Sequence, residues 1–364
     1  MNKENKEIMH FAIIENKSKV VPILKEVKLS GKNFVGYGED NHYPEYLFSL
    51  YENSTILQSI INGIIDYAIG QGVNGQFLTD QVNVDGETWD DLFRNLYLDY
   101  LVTGGFAFNV LRDAENRISE LYWLDISKVR LSPDGLKGFY SETGFGWGDK
   151  PQELPIFDPN KNQKSSIFYY KGTSRKLYPI PRWSGAIKAV ETSCEISNYH
   201  LNQILNNFNP SAIISFNNGV PDKATQEAIE KKINKKFVGS ENVNRFILSF
   251  SESGENQTTV QTLGTDHADE KFQSLKKSIT EEIFVSFRAT PALFGINPEN
   301  NGFSKQEYME SFDLFNRTMI EPIQKTMVRI FDKIFDTTDS ISFNKFTVWE
   351  DNIAVSENNV EENE

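Results

Sequence analysis

Apolar residues between positions 43 and 72 recur at spacings of three and four, which is the period of an amphipathic helix. The pattern predicts a short helix that begins near Tyr43, a break near Asn53 and Ser54, and a second helix that ends at Gly70. The apolar stripe of this second helix consists of Leu57, Ile60, Ile61, Ile64, Ile65 and Ala68. This part of the chain is therefore predicted to be two consecutive helices.

A helix followed by strands is predicted in the next segment. The sequence from Thr88 to Asp91 resembles a capping box, and apolar residues then mark one helical face up to Gly104. After this glycine, two runs rich in β-favouring residues flank a turn at residues 114–116, which predicts a strand–turn–strand unit. Aromatic residues alternate with Gly, Pro, Asp and Asn over residues 132–181, as in short strands and long loops. The first half is therefore predicted to be a mixed α+β domain.

The pattern then changes to long helices. A helix from Ser184 to Phe208 would be about 37 Å long, and Asn209-Pro210 ends it. Its stripe contains Trp183, Ile187, Val190, Cys194, Leu201, Leu205 and Phe208. A compact insert follows, in which two short apolar runs flank a helix at residues 222–237, so a strand–helix–strand order is predicted.

A second long helix is predicted after the insert, and Thr290-Pro291 closes it. Residues 291–303 contain two prolines, two glycines and three asparagines, so this segment is predicted to be a loop. A capping-box sequence at residues 304–307 begins a third long helix. Pro322 lies inside this helix, removes a backbone donor and predicts a kink near residues 318–321.

The order of these elements resembles that of the portal proteins of tailed double-stranded DNA bacteriophages. Local sequences resemble the family as well, among them YPIPRWSGAIKAV before the first long helix and ATPALFGINPENNGFSKQEY between the second and third. The resemblance spans Tyr43 to Phe335. It implies an α+β, mainly α, portal fold with a minimal or absent C-terminal crown, because little chain follows Phe335.

The resemblance also implies a division of the chain into seven segments. These are an α+β wing (1–179), a first stem helix (180–208), a clip (209–265), a second stem helix (266–290), a channel loop (291–303), a kinked wing helix (304–335) and a short C-terminal segment with an acidic tail expected to be disordered (336–364).

Portal proteins are non-enzymatic subunits of a ring, typically of twelve chains, at one capsid vertex of the virion. The resemblance therefore implies a homo-oligomer that is the conduit for genome packaging and ejection and that nucleates capsid assembly in the host bacterial cytoplasm. Its expected partners are the viral DNA, the major capsid protein and scaffold, the terminase large subunit and, later, the head–tail adaptor.

Ring subunits bury two different faces against neighbours, so stem helices with more than one apolar stripe are expected. The stem residues expected at the subunit interface are Ile187, Cys194, Leu201, Phe272 and Ile279. A helix that is buried inside one monomeric domain would show a similar stripe, and this alternative stays open.

In the family, the loop between the second stem helix and the kinked helix points into the channel and approaches the DNA. Its residues expected to line the channel are Asn297, Glu299, Asn300, Asn301 and Phe303. The asparagines hydrogen-bond phosphates only weakly and the glutamate repels them, so contact with DNA would be transient and non-specific. Ordinary turn chemistry explains the asparagines equally well.

Four lysines of the predicted clip helix form the densest basic run in the chain, namely Lys231, Lys232, Lys235 and Lys236. In the family the clip protrudes from the capsid, where it meets the packaging motor first and the tail adaptor later. The lysines are therefore expected to form a docking patch, and a simple solvated helix face is the alternative.

Composition narrows the function classes. The 364 residues carry a formal net charge of −14, which argues against a surface that grips nucleic acid tightly. One cysteine, Cys194, excludes an internal disulfide and is expected to be a small buried residue. No signal peptide is predicted, and the longest apolar stretch, residues 56–69, is too short and polar to span a bilayer. A soluble protein without a membrane partner is expected.

The chemistry of known enzyme motifs is missing from the sequence. There is no G-x-x-x-x-G-K-[ST] phosphate loop, so the chain is not predicted to be the ATP-driven motor. The four histidines lack partners at metal-ligand spacing, and no metal or cofactor is expected. Two other functions stay open, an adaptor or similar virion ring protein and a metal-dependent phage nuclease. The loop at residues 291–303 argues against the adaptor.

Overall fold

The computed structural model describes residues 24–76, 78, 80–146, 148–205, 213–216, 221–237, 247–250, 268–296 and 305–345. Its helices are α1 (Tyr43–Asn53), α2 (Thr55–Ile69), α3 (Trp89–Thr103), α4 (Ile187–Leu205), α5 (Lys223–Phe237), α6 (Ala268–Ser286), α7 (Lys305–Phe315) and α8 (Glu321–Phe335). Its strands are β1 (Glu26–Lys28), β2 (Val35–Tyr37), β3 (Val73–Gly75), β4 (Phe106–Arg112), β5 (Ile118–Leu124), β6 (Val129–Leu131), β7 (Lys137–Tyr140), β8 (Gln152–Pro155), β9 (Ser165–Tyr170), β10 (Ile213–Phe216), β11 (Ile247–Phe250) and β12 (Ile341–Phe343). The predicted α+β, mainly α, class is confirmed.

Helix α2 lies at the centre of the hydrophobic core. Ser54 separates it from α1, and the Ser54 hydroxyl accepts a hydrogen bond from the Leu57 amide at 3.3 Å, which caps the helix. Every residue of the stripe predicted for this helix is buried. The two predicted helices and the break between them are therefore confirmed.

Helix α3 begins with the predicted capping box. The Asp91 amide donates to Thr88 Oγ1 at 3.2 Å, and Asp91 Oδ2 accepts from the Thr88 amide at 3.0 Å. The Thr88 hydroxyl, at 2.6 Å, and the Thr88 amide both donate to the Asp91 carboxylate, and these two hydrogen bonds hold the pKa of Asp91 below its usual value. At the other end, Gly104 has φ +91°, and a Cβ there would lie 2.2 Å from the Ile180 carbonyl oxygen. Only glycine fits this position, so the chain entering α4 lies directly against the end of α3.

The predicted strand–turn–strand unit is the antiparallel pair β4–β5, and β9 pairs with the other edge of β4. A second antiparallel sheet has the order β6-β7-β8. Phe108 of β4 stacks on Phe331 of α8 with ring centroids 5.5 Å apart, which packs the first sheet against the last helix. Strand β12 pairs with β3, so the last described strand returns to the segment that follows α2.

The segment before α4 is fixed in the core by aromatic residues. Trp183 is fully buried, and its indole donates to the Leu101 carbonyl at 3.0 Å. Tyr37 stacks on Tyr178 at 4.3 Å and donates its hydroxyl hydrogen to the Pro179 carbonyl at 3.0 Å. The first residues of the long helix therefore have one fixed position on the body.

Helix α4 follows a 3₁₀ turn at Ser184–Ala186 and is described to Leu205, so the predicted end at Phe208 lies outside the described residues. The predicted stripe is not covered evenly within the chain, because Val190 is buried and Leu201 is exposed, and Ile196, which is not part of that stripe, is buried as well. Cys194 is half-buried, not buried as expected. Beyond Ile196, the described element that contacts α4 is α6. A single helix covers less of the α4 surface than the body does.

The insert has the predicted strand–helix–strand order. Strands β10 and β11 are parallel, with Ile213 opposite Ile247 and Phe216 opposite Phe250. Helix α5 lies between them in the sequence, so the three elements form a βαβ unit.

The third long helix is interrupted where the sequence predicts a kink. A π-helical segment at Asn316–Ile320 joins α7 to α8, and the Glu321 amide donates to the Asn316 carbonyl, five residues earlier. Pro322 has no amide hydrogen, and its ring crowds the carbonyl of the preceding turn. The wider π turn accommodates both effects.

Candidate channel loop and docking surfaces

Helices α4 and α6 pack side by side, and we name them the stem pair. Close to the body, Val190 and Ile283 are fully buried. Farther out, Tyr199 stacks on Phe272 with ring centroids 5.1 Å apart, and His200 meets the same ring edge-on at 5.9 Å. Aromatic contacts therefore hold the two helices together beyond the point at which the body covers them.

Tyr46 of α1 anchors the stem pair to the body. Its hydroxyl donates to Glu191 Oε1 at 2.7 Å. Burial, followed by the hydrogen bond to Glu191, raises the pKa of Tyr46, so this phenol keeps its proton at neutral pH. A neutral phenol that donates to a carboxylate forms a charge-assisted hydrogen bond, which fixes α4 relative to α1.

The five predicted interface residues occupy different environments. Ile187 and Ile279 are buried within the chain itself, and Cys194 and Phe272 are half-buried. Leu201 is 55% exposed. Of this set, Leu201 therefore offers the largest apolar surface to another molecule.

Further apolar side chains on the stem pair are exposed. Tyr199 and Leu275 are each 44% exposed, and Val285, near the end of α6, is 74% exposed. Exposed apolar groups that recur along two packed helices are typical of a surface that another protein covers. Tyr199 and Leu275 were not among the predicted interface residues.

The chain after α6 turns sharply before the predicted channel loop. The Ala289 amide donates to the Phe284 carbonyl at 3.0 Å, and Arg288 has φ +53°. A 3₁₀ turn at Pro291–Phe294 follows, and Gly295 leaves it in the left-handed conformation. These turns set the direction in which the chain enters the loop.

Phe294 anchors this end of the loop in an aromatic cage. Its ring lies edge-on to Phe284 at 5.7 Å, to Phe315 at 5.9 Å and to Tyr67 at 6.4 Å. The Phe294 ring also packs directly on Gly63 of α2, where a Cβ would lie 2.6 Å from Phe294 Cε1. The missing side chain at Gly63 is therefore what lets the phenylalanine ring enter.

Tyr67 joins the two ends of the loop. Its hydroxyl donates to the Leu293 carbonyl at 3.3 Å, and burial raises the pKa of this phenol. On the other side of the loop, Phe312 of α7 packs on the Tyr67 ring at 5.6 Å. Described residues before and after the segment 297–304 therefore both contact Tyr67 of α2.

The predicted channel residues themselves, Asn297, Glu299, Asn300, Asn301 and Phe303, lie outside the described residues. The cage was not predicted from the sequence. Gly63 was the available signal, since glycine in the middle of an apolar helix costs stability and often marks a close contact.

The predicted docking lysines belong to α5. The side chain of Lys231 is exposed, whereas those of Lys232, Lys235 and Lys236 lie outside what the structure describes. The sequence places all four within one helix of the βαβ unit.

Among the described residues, no group of three or more His, Cys, Asp or Glu side chains is arranged to hold a metal ion. Within the same ranges, no helix combines the length and apolar content needed to cross a membrane.

Comparisons with known proteins identify the family. A comparison with curated protein sequences gives no significant match. A chain of the virion of a native gene transfer agent particle is 17% identical, with a TM-score of 0.54 over 82% of this chain and 83% of that chain. The neck of the native particle, computed with C12 symmetry, gives 16% identity and a TM-score of 0.53 over the same shares.

An HK97 family phage portal protein from Corynebacterium diphtheriae is 10% identical, with a TM-score of 0.48 over 82% of this chain and 94% of that chain. The two gene transfer agent matches, at identities this low, show the fold alone. The family model described as phage portal protein, however, matches residues 76–348, which is most of the chain. The chain therefore belongs to the phage portal protein family.

Proposed function

We propose that this chain forms a homo-oligomeric ring at one capsid vertex of a tailed phage virion and that viral DNA passes through its centre during packaging and ejection. The family match over residues 76–348 is the observation that carries this proposal. The portal family is structural rather than catalytic, so the ring acts as a conduit. The C12 symmetry of one similar neck structure supports twelve subunits. The proposed virion partners include the major capsid protein and scaffold.

The outer part of the stem pair is the proposed subunit interface. A ring subunit needs two different faces that neighbours cover, and the exposed Tyr199, Leu201 and Leu275 provide apolar surface for one of them. The aromatic stack of Tyr199 on Phe272 keeps this surface rigid before assembly. Less side-chain freedom is then lost when the ring closes.

The segment at residues 291–303 is the proposed channel loop. Leu293, near its start, and Phe312, in the helix that follows it, both contact Tyr67, so the described chain on either side of the proposed loop packs on α2. Asparagine side chains offer weak hydrogen bonds to phosphates, and the glutamate adds repulsion. DNA can then slide in both directions, because no contact is strong enough to hold it.

Helix α5 is the proposed docking surface for the terminase large subunit and then for the head–tail adaptor. Its lysines would pair with acidic residues of these partners. Charge reversal of the four lysines to glutamate tests this role, with virion yield as the measurement. A reduced yield is expected, whereas a normal yield would reject the docking patch.

Electron microscopy of the purified full chain tests the ring directly. A ring whose central hole admits duplex DNA is expected. Leu201→Glu combined with Leu275→Glu places charges on the proposed interface and is expected to prevent ring formation while the far-ultraviolet circular dichroism stays unchanged. Val84→Glu combined with Leu136→Glu is the matched control, because these residues are 79% and 65% exposed on the wing. A wild-type chain that stays monomeric, or a ring whose central hole is too narrow for duplex DNA, would contradict the proposal.

A further inference from the structure

A cavity of about 360 Å³ lies beside α1 and α3, and none of its lining residues belongs to the stem pair or the predicted loop. Its acidic walls come from Glu45 and Glu52 of α1, Asp99 of α3 and Asp125 after β5. Its aromatic walls are Phe48 and Trp123, which are both half-buried. The cavity therefore combines several carboxyl groups with two aromatic faces.

Asp99 is fully buried, and only one of its two carboxyl oxygens is satisfied. Its Oδ2 accepts from the Trp123 indole at 2.9 Å and from the Ile126 amide at 3.3 Å. Its Oδ1 is buried without a hydrogen-bond partner. A buried oxygen without a donor is costly, so this atom marks a place where a donor is missing. Burial raises the pKa of Asp99 well above its usual range.

Glu45 adds a second oxygen of the same kind. Its Oε1 lies 3.5 Å from Arg130 Nη2, but its Oε2 is buried without a partner. Asp125 is better satisfied, because its Oδ1 accepts from Ser127 and its Oδ2 lies 3.7 Å from Lys128 Nζ. The unmet requirement is thus for N–H donors, near Asp99 and Glu45.

We propose that this cavity binds a cationic N–H donor, a guanidinium or primary ammonium group, through Asp99 and Glu45. Such groups carry three to five donors and pair with carboxylates by charge-assisted hydrogen bonds. The faces of Trp123 and Phe48 favour an organic cation as well, since aromatic rings attract guanidinium and ammonium groups. The absence of a metal-binding group of side chains among the described residues agrees with an organic ligand.

The cationic group in the cavity can belong to a free polyamine or to a basic side chain of a second copy of this chain. Isothermal titration of the full-length chain with spermidine and with arginine amide distinguishes these sources. The titrations use the wild type and the Leu201→Glu/Leu275→Glu variant. Binding to both proteins identifies a free small cation as the ligand. Binding to the variant alone shows that a neighbouring copy fills the cavity in the assembled protein.

Two variants test whether the binding occurs in this cavity. Asp99→Asn keeps the acceptor for Trp123 but cannot ionise to pair with a cation, and it is expected to weaken binding about tenfold or more. Glu52→Gln changes an exposed residue that lines the cavity, so the variant should fold normally. It should weaken binding less than Asp99→Asn does. Glu153→Gln removes one charge on the surface elsewhere and is expected to leave binding unchanged. No binding to either protein, or equal binding by Asp99→Asn, would overturn the proposal, whether or not the ring forms.

Discussion

Helix α2 and the stem pair carry apolar residues at the same helical spacing, but their environments differ. All six residues of the stripe predicted for α2 are buried within the chain. On the stem pair, Leu201 and Leu275 occupy stripe positions and remain 55% and 44% exposed. Periodicity therefore shows which face of a helix is apolar, but not whether the same chain covers it.

The difference has a consequence for assembly. A protein that buries one apolar stripe completely but leaves the outer part of another exposed has a folded body and a separate surface available for association. Substitutions in the body should then change the stability of the monomer, whereas substitutions on the outer stem pair should change assembly alone.

The largest expected effect is that of Phe331→Ala in the body. Phe331 is fully buried, and its ring packs on Phe93 at 5.0 Å and on Phe108 at 5.5 Å. Its truncation should lower the free energy of unfolding by about 3–5 kcal/mol, because a cavity remains. Urea unfolding of the unassembled chain measures the change. Leu201→Ala is the matched control and should stay within about 0.5 kcal/mol. A large loss there would show that the stem surface is covered within the monomer.

Gly63→Ala tests the junction between the body and the loop. An added Cβ would lie 2.6 Å from Phe294 Cε1, and the surrounding rings leave that phenylalanine little room to move. A loss of about 1–3 kcal/mol in the free energy of unfolding is expected from this overpacking. Helix propensity acts in the opposite direction, since alanine is better than glycine by about 1 kcal/mol.

Gly185→Ala is the control for this substitution, because nothing lies within 4 Å of a Cβ at that position. It should leave stability unchanged or slightly raised. Combining Gly63→Ala with Phe294→Leu should recover part of the loss, since the smaller side chain relieves the contact. If Gly63→Ala stabilises the chain, the cage does not hold the loop.

Local sequence signals predicted much of the body. The cap at Thr88, the stop at Gly104 and the break at Ser54 each depend on neighbouring residues, and the structure contains all three. The strand–turn–strand unit after Gly104 is likewise a local pattern. Such features need no knowledge of the rest of the fold.

Features made by residues far apart in the sequence were not predicted. The cage brings Gly63 and Tyr67 against Phe294, and neither sequence segment indicates that it contacts the other. The burial of Ile196 and the exposure of Leu201 within one chain could not be predicted, because the helical period does not show where the neighbouring body ends. The buried Asp99 was missed for a similar reason, since its place inside an apolar helix reveals neither its indole partner nor its cavity.

Asp99→Asn probes a polar group of the body through the pH dependence of stability. Burial raises the pKa of Asp99 in the folded chain above the value of about 3.9 for an unfolded aspartate. The folded state therefore holds more protons than the unfolded state above about pH 4, and stability falls as the pH rises from there toward the folded pKa. Asparagine does not ionise, so the variant has no such loss of stability. The free energy of unfolding of the variant minus that of the wild type should therefore increase between about pH 4 and about pH 7. Gly185→Ala, which changes no ionisable group, should show a constant difference from wild type, and a constant difference for Asp99→Asn would contradict the prediction.

Thr88→Ala has the smallest expected effect, because it removes one cap in the body. The variant loses the hydroxyl that accepts from the Asp91 amide, and helix capping residues typically contribute about 1 kcal/mol. Thr280→Ala on α6 is the matched control in the stem pair, since that hydroxyl only donates to the Lys276 carbonyl within the helix. Urea unfolding should show a loss for Thr88→Ala and almost none for Thr280→Ala. Equal losses would mean that the stem pair contributes as much to the folding of the monomer as the body does, and the distinction between the two regions would then fail.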